Sequence, residues 1–340
     1  YITFKGTAHL ASEIYGVMEA AQEFRRNKQY EADMEICFTI LENGIETVNN
    51  NDDSYGYLGN IMESAFKELY ALTKCSLDED SRLCFFEYCC KYVEDSTFDG
   101  WDWHCKLYDY LVDLSKDEEE YEQVMKMLDK DKNLKEGRFL RSSLMQAKRN
   151  LLRKWKGKNA VREFENSNLN LKEFREKAIR EATEKRDFQQ AYHLAQGGVE
   201  QEKSDNSRQA DFWREWLLKV AMAENSKEQI VKYATVLFFC KSDFEKYFGI
   251  LKENVQAEEW SSFVVNLAEQ AEKEEEGELY AFLCVQEGWT EKLFAYVKNG
   301  NHIRDFVKYE PQLRDIYADA YIERYIQHVY WLLEPTCNRN

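Results

Sequence analysis

The sequence predicts an all-α chain, a right-handed α-solenoid of irregular tetratricopeptide-like helical hairpins, and three observations carry that prediction. Proline is almost absent, with only Pro311 and Pro335 among 340 residues, where ordinary usage of about 5% gives roughly seventeen. Proline lacks an N–H and clashes with the preceding turn, so long Pro-free stretches rich in Glu, Lys, Leu and Ala read as helix. Apolar residues recur at three- and four-residue spacing nearly throughout. Aromatics make up 14% of the chain, which suits packed cores rather than an acidic coil.

Taken in order, the first helix is predicted over 7–26, with Leu10, Ile14, Met18, Ala21 and Phe24 in one stripe. The second, over 30–48, carries Met34, Cys37, Phe38, Leu41 and Ile45. The polar run Asn49 to Ser54 then supplies a turn and an N-cap for a third helix reaching Leu72. Ser76 is expected to cap a fourth over 78–94. Thr97 to Trp103 forms an aromatic corner before a helix at 104–115.

From residue 170 onward the pattern repeats: polar turn, aromatic, apolar run. Lys185-Arg186-Asp187-Phe188, Lys241-Ser242-Asp243-Phe244, Glu258-Glu259-Trp260 and Glu287-Gly288-Trp289 share it, as do Asn27-Lys28-Gln29-Tyr30 and Glu119-Glu120-Tyr121 earlier. An aromatic opening the second helix of a hairpin packs against the first, as in tetratricopeptide-like repeats. Phe188, Phe244, Trp260 and Trp289 are unevenly spaced, so the array is degenerate. The length exceeds what one core usually holds, and two lobes are expected, 1–160 and 161–340, with the boundary region at 157–170.

The net charge of −17 disfavours nucleic acid and anionic membranes as a global tendency. No run of apolar residues is long enough to span a bilayer, so no membrane partner is expected. Nine scattered cysteines, several on apolar helical faces, read as reduced thiols of a cytoplasmic protein rather than a disulfide framework.

The chemistry-bearing motifs are missing. No phosphate-cradling glycine loop, His-Glu-x-x-His pair or Gly-x-Ser-x-Gly elbow occurs, and the five histidines are spread singly. Asp129-Lys130-Asp131-Lys132-Asn133 begins like a calcium loop, but Leu134 replaces the turn glycine and Leu140 the bidentate glutamate. Cys84, Cys89, Cys90, His104 and Cys105 have ligand types that suit zinc. Their spacing does not, because adjacent Cys89 and Cys90 point about 100° apart on a helix. No catalytic residue, cofactor or metal is therefore assigned, and the chain reads as a non-enzyme.

One stretch stands apart. Between 138 and 162 the chain carries nine cations and no Asp or Glu, among them Arg138, Arg141, Lys148, Arg149, Arg153, Lys154 and Lys156. Leu140, Leu144, Ala147, Leu151 and Trp155 form its buried stripe. Two readings stay open: a phosphate-contacting surface with salt-dependent affinity for nucleic acid, or a helix facing acidic neighbours within the stack.

The helix pair followed by Asn51-Asp52-Asp53-Ser54-Tyr55-Gly56-Tyr57-Leu58-Gly59, then Cys75 and Phe98-Asp99-Gly100-Trp101, resembles the helical region downstream of the finger in bacterial SWIM zinc-finger proteins. The family's Cys-x-Cys and Cys-x-His pairs are absent from the sequence. The resemblance implies that this chain is the helical part lying after such a finger and that it serves as a partner-binding scaffold. Asp52, Asp53 and Ser54 suit a helix N-terminus, and Gly56 and Gly59 are expected to let a neighbouring helix approach. Together these readings predict an interaction scaffold holding a protein partner on a concave helical surface, with nucleic-acid binding by the 138–162 helix as the alternative.

Overall fold

The computed structural model describes residues 4–51, 53–135, 138–202, 208–240, 243–300 and 302–333, and the side chains of 4–8, 135, 138 and 139 also lie outside the described set. Among the described residues the chain is helix joined by short turns, without a strand. It divides into two compact units, 1–171 and 172–340.

The first unit contains α1 (Phe4–Arg26), α2 (Tyr30–Asn50), α3 (Tyr57–Leu72), α4 (Glu79–Glu94), α5 (Trp103–Leu114), α6 (Glu118–Lys130), α7 (Lys132–Lys135), α8 (Arg138–Trp155) and α9 (Gly157–Ser167). α1, α2 and α3 pack on one another, α4 pairs with α5, and α8 lies on α5 and α6. The predicted stripes face inward: Met18 and Ala21, then Met34, Cys37, Leu41 and Ile45, then Leu140, Leu144, Ala147 and Leu151 are buried. Phe38 stacks on Tyr88 at 3.6 Å, and Phe98 meets Phe66 edge-on at 5.4 Å, which folds the aromatic corner back onto α3.

The second unit contains α10 (Lys172–Glu184), α11 (Phe188–Gln201), α12 (Arg208–Glu224), α13 (Lys227–Cys240), α14 (Phe244–Asn254), α15 (Ala257–Lys273), α16 (Gly277–Gln286), α17 (Thr290–Gly300), α18 (Ile303–Lys308), α19 (Glu310–Leu313) and α20 (Ala318–Leu333). α10 to α14 each pack on the next in chain order. Phe238, Phe248 and Phe282 join α13, α14 and α16 around one aromatic cluster. Gly198 lets α11 close on α12, for a Cβ there would overlap the Trp213 ring.

One backbone device recurs at six helix ends. Lys28, Ser96, Arg186, Asn225, Glu275 and Gly288 all adopt the left-handed conformation. In each case the next residue's N–H returns to the carbonyl five positions back, as from Gln29 to Phe24 (2.9 Å), Asp187 to Ala182 (2.9 Å) and Trp289 to Cys284 (2.8 Å). This Schellman arrangement satisfies carbonyls that the helix end leaves open.

Three of the turns marked in the sequence, at Lys28, Arg186 and Gly288, are these joints. Two others are not turns. Glu119-Glu120-Tyr121 and Glu258-Glu259-Trp260 fall within the first turns of α6 and α15, where acids favour the helix dipole. Lys241 and Ser242 lie outside the described residues.

Two local expectations are corrected. α4 is capped by Asp78, which accepts from Ser81 N at 2.9 Å, and not by Ser76. Gly59 faces no neighbouring helix: the Asp53 carboxylate accepts from its N–H at 2.7 Å and from Leu58 N at 3.0 Å, a cap reaching back over Gly56. Asp52 lies outside the described residues. The two units divide after Leu171, at the edge of the expected 157–170 boundary region, and α9 stays with α8, to which the Arg149–Glu165 ion pair ties it.

Candidate interaction surface

The cations of α8 are mostly engaged inside the first unit. Lys148 pairs with Asp129 and lies over the Phe164 ring at 5.8 Å. Arg149 pairs with Glu165, a carboxylate that is itself buried. Lys154 donates to the carbonyls of Val112 (2.9 Å), Asp113 (2.8 Å) and Ser115 (2.6 Å). It thereby closes the C-terminus of α5, where a cation meets both open carbonyls and the negative end of the dipole. Desolvation holds the Lys154 ammonium below its ordinary pKa, opposed by Asp113 and Glu120. Lys156 pairs with Glu118 at 2.5 Å and covers the Tyr121 ring at 4.7 Å. Arg141 is half-buried and Arg153 exposed, and the Arg138 side chain lies outside the described residues. Lys148, Arg149, Lys154 and Lys156 are thus clasps that tie α8 and the α8–α9 turn to α5, α6 and α9.

The cysteine–histidine group does not converge. Cys84 is exposed, whereas Cys89, Cys90 and Cys105 are buried. Burial pushes the Cys90 and Cys105 thiols up to about 12 and Cys89 well above its ordinary value, so all three are protonated at neutral pH. His104 turns elsewhere: its Nε2 lies 2.6 Å from Asp131 Oδ2, which also accepts from the Tyr108 hydroxyl at 2.9 Å. Asp131 Oδ1 accepts from Asn133 N at 2.8 Å. The aborted calcium-loop string therefore pins α5 to the α6–α7 corner, beside a cavity of about 420 Å³ lined by Glu94, Asp99, Lys126 and Lys130. Among the described residues, no group of three or more His, Cys, Asp or Glu is arranged to hold a metal ion, and no helix is long and apolar enough to cross a membrane.

The feature that sequence reading missed lies at the other end. Of seventeen exposed large hydrophobic residues among those described, nine fall from Val307 onward, so exposed apolar surface is concentrated rather than scattered. α20 buries Tyr321 against Phe306, edge-on at 5.2 Å, and half-buries Tyr325. A second stripe, Ile322, Ile326, Val329 and Leu333, is half or more exposed, as is Tyr330. Beside it a groove of about 590 Å³ between α18 and α20 is floored by Ile303, Val307, Tyr325 and Val329. The signal was present in the sequence. A helix packed on one side needs one apolar stripe, and 318–333 carries two.

No family model matches this chain, and no curated protein is similar to it. Among solved structures it is similar to a "circular tandem repeat protein with novel repeat topology and enhanced subunit contact surfaces". The identity is 14%, the match covers 95% of this chain and 80% of that one, and the TM-score is 0.23.

Proposed function

We propose that this chain is a non-enzymatic interaction scaffold of the cytoplasm, a helical array that presents an apolar helix face to a protein partner. The observation that carries this reading is the uncovered stripe Ile322, Ile326, Val329 and Leu333 on α20. The stripes of α2, α3 and α8, by contrast, are buried against neighbouring helices. The chemistry that completes this one is therefore an amphipathic helix laid along it, anchored at i, i+4 and i+7 spacing. Such a face lies at one end of the second unit, so this reading does not depend on a concave surface. The eight described cysteines are free thiols, which fits a reducing compartment.

The nucleic-acid alternative is the weaker proposal, because Lys148, Arg149, Lys154 and Lys156 are committed to intramolecular partners and each phosphate contact would have to displace one of them. The likeness to a SWIM-associated helical region remains compatible with a scaffold and assigns no residue.

The test is fluorescence anisotropy of a labelled amphipathic helical peptide of about 18 residues, long enough to hold helix on binding. Binding in the micromolar range that weakens at least about tenfold with Ile322→Asp is expected. Absence of binding to the monomeric chain, folded by circular dichroism, overturns the reading.

A further inference from the structure

We infer that the occupant of the α20 stripe is a second copy of this chain, docked antiparallel through the same helix; this rests on the reading of α20 as a binding face and names its partner.

The spacing is the first argument. Ile322, Ile326, Val329 and Leu333 follow one another at intervals of four, three and four, the pattern of a coiled-coil seam. That pattern is symmetric about a point between Gln327 and His328. An antiparallel copy therefore sets Ile322 against Leu333 and Ile326 against Val329, and each seam residue meets an apolar partner twice over. This is the self-complementarity that an isologous two-fold interface requires.

The flanks decide orientation. Asp319 and Glu323 border the N-terminal half of the stripe, and on the same side Tyr330, exposed, borders the C-terminal half. A two-fold axis between antiparallel helices brings like flanks together with ends exchanged. Glu323 then faces the other copy's Tyr330, a hydroxyl donor for a carboxylate, whereas parallel packing sets it against the partner's opposite flank and forgoes that pair.

Charge selects the place. Two copies of a chain with net −17 repel. Residues 302–333, however, carry four cations (Arg304, Lys308, Arg314, Arg324) against five anions (Asp305, Glu310, Asp315, Asp319, Glu323), so like-charged copies meet here with little local repulsion. The seam residues Ile322, Ile326, Val329 and Leu333 and the flanking Tyr330 are each half or more exposed, so all five are available for burial by the second copy.

Sedimentation of the full chain across the micromolar range tests the proposal. Two-chain mass at tens of micromolar is expected. Ile326→Asp and Val329→Lys, each on an exposed position, are expected to weaken association at least about tenfold while retaining helical circular dichroism. In the antiparallel register 326 faces 329, so an equimolar mixture of the two variants regains the dimer, the aspartate meeting the lysine. A wild-type chain monomeric throughout the range overturns the proposal. So does a dimer indifferent to Ile326→Asp, or a pair of variants that fails to rescue. A monomer that still binds the labelled amphipathic peptide at α20 leaves the scaffold reading standing while sinking the second copy. A monomer that binds no peptide ends both.

Discussion

Asp33 sits fully buried on α2, between Cys37, whose Sγ lies 3.6 Å from its Oδ1, and Glu68 of α3, which Arg25 of α1 holds by an ion pair. Its Oδ2 has no hydrogen-bond donor. Two carboxyl groups share one guanidinium, and burial, reinforced by the charge of Glu68, pushes Asp33 up from 3.8 to about 7. A proton on Oδ2 supplies the missing bond toward Glu68. The folded chain therefore keeps a proton between about pH 4 and 7 that the unfolded chain releases. Stability falls as pH rises through this window, by at most about 1.4 kcal/mol per pH unit. Three units set a ceiling of about 4 kcal/mol, and relaxation around the ionised pair reduces this to about 2 kcal/mol at pH 8. Asp33→Asn cannot ionise, while its carboxamide keeps an acceptor for Cys37 and offers an N–H toward Glu68. The variant is expected to match the parent at pH 4–5 and to exceed it by about 2 kcal/mol at pH 8. Urea melts of the first unit, followed by helical circular dichroism at both pH values, measure this. A gap independent of pH, or a variant weaker at pH 8, refutes the protonated carboxyl.

Further outcomes follow from single contacts. Lys154→Met is expected to cost about 1–2 kcal/mol, since it strips the donor from three carbonyls at the end of α5, while Arg153→Met on the next, exposed position changes stability by less than about 0.5 kcal/mol; parallel denaturant titrations compare them. Arg82 joins α4 to Glu120 at 2.8 Å and to the Leu114 carbonyl at 3.1 Å, so Arg82→Met is expected to lower stability by about 2–3 kcal/mol. Gly198→Ala drives a methyl into the Trp213 ring and is expected to cost about 1–3 kcal/mol, with a changed tryptophan emission spectrum. Labelled duplex DNA, titrated at physiological salt, is expected to show only weak non-specific binding, in the range of about 10⁻⁴ M or weaker; tight binding lost in Arg141→Glu would restore the nucleic-acid reading.

The helical stripes were legible because burial imposes period on sequence: Met34, Cys37, Leu41 and Ile45 are buried where their spacing puts them. The ends were less so. Ser76 and Asp78 are both good cap residues, and only the backbone path decides that Asp78 reaches Ser81 N. The basic stretch was conspicuous, yet its role was hidden, since the carboxylates that engage it, Glu118 and Asp129 at opposite ends of α6 and Glu165 of α9, come from two other helices. Nothing in the local sequence announces that pairing. The candidate face on α20 was legible in principle, as a second stripe beyond the one packing needs, but it was lost among so many apolar periodicities.

The six left-handed helix ends carry a further consequence. Lysine, serine, arginine, asparagine, glutamate and glycine occupy the same torsional state, although only glycine, and to a lesser degree asparagine, adopts it without penalty. The joint is thus preserved as a shape and not as a letter. Two hairpins of this chain can superimpose at the bend while sharing no residue there, and a search by residue identity would count them as unrelated. At these six bends the arms vary in length and composition while the hinge keeps one shape.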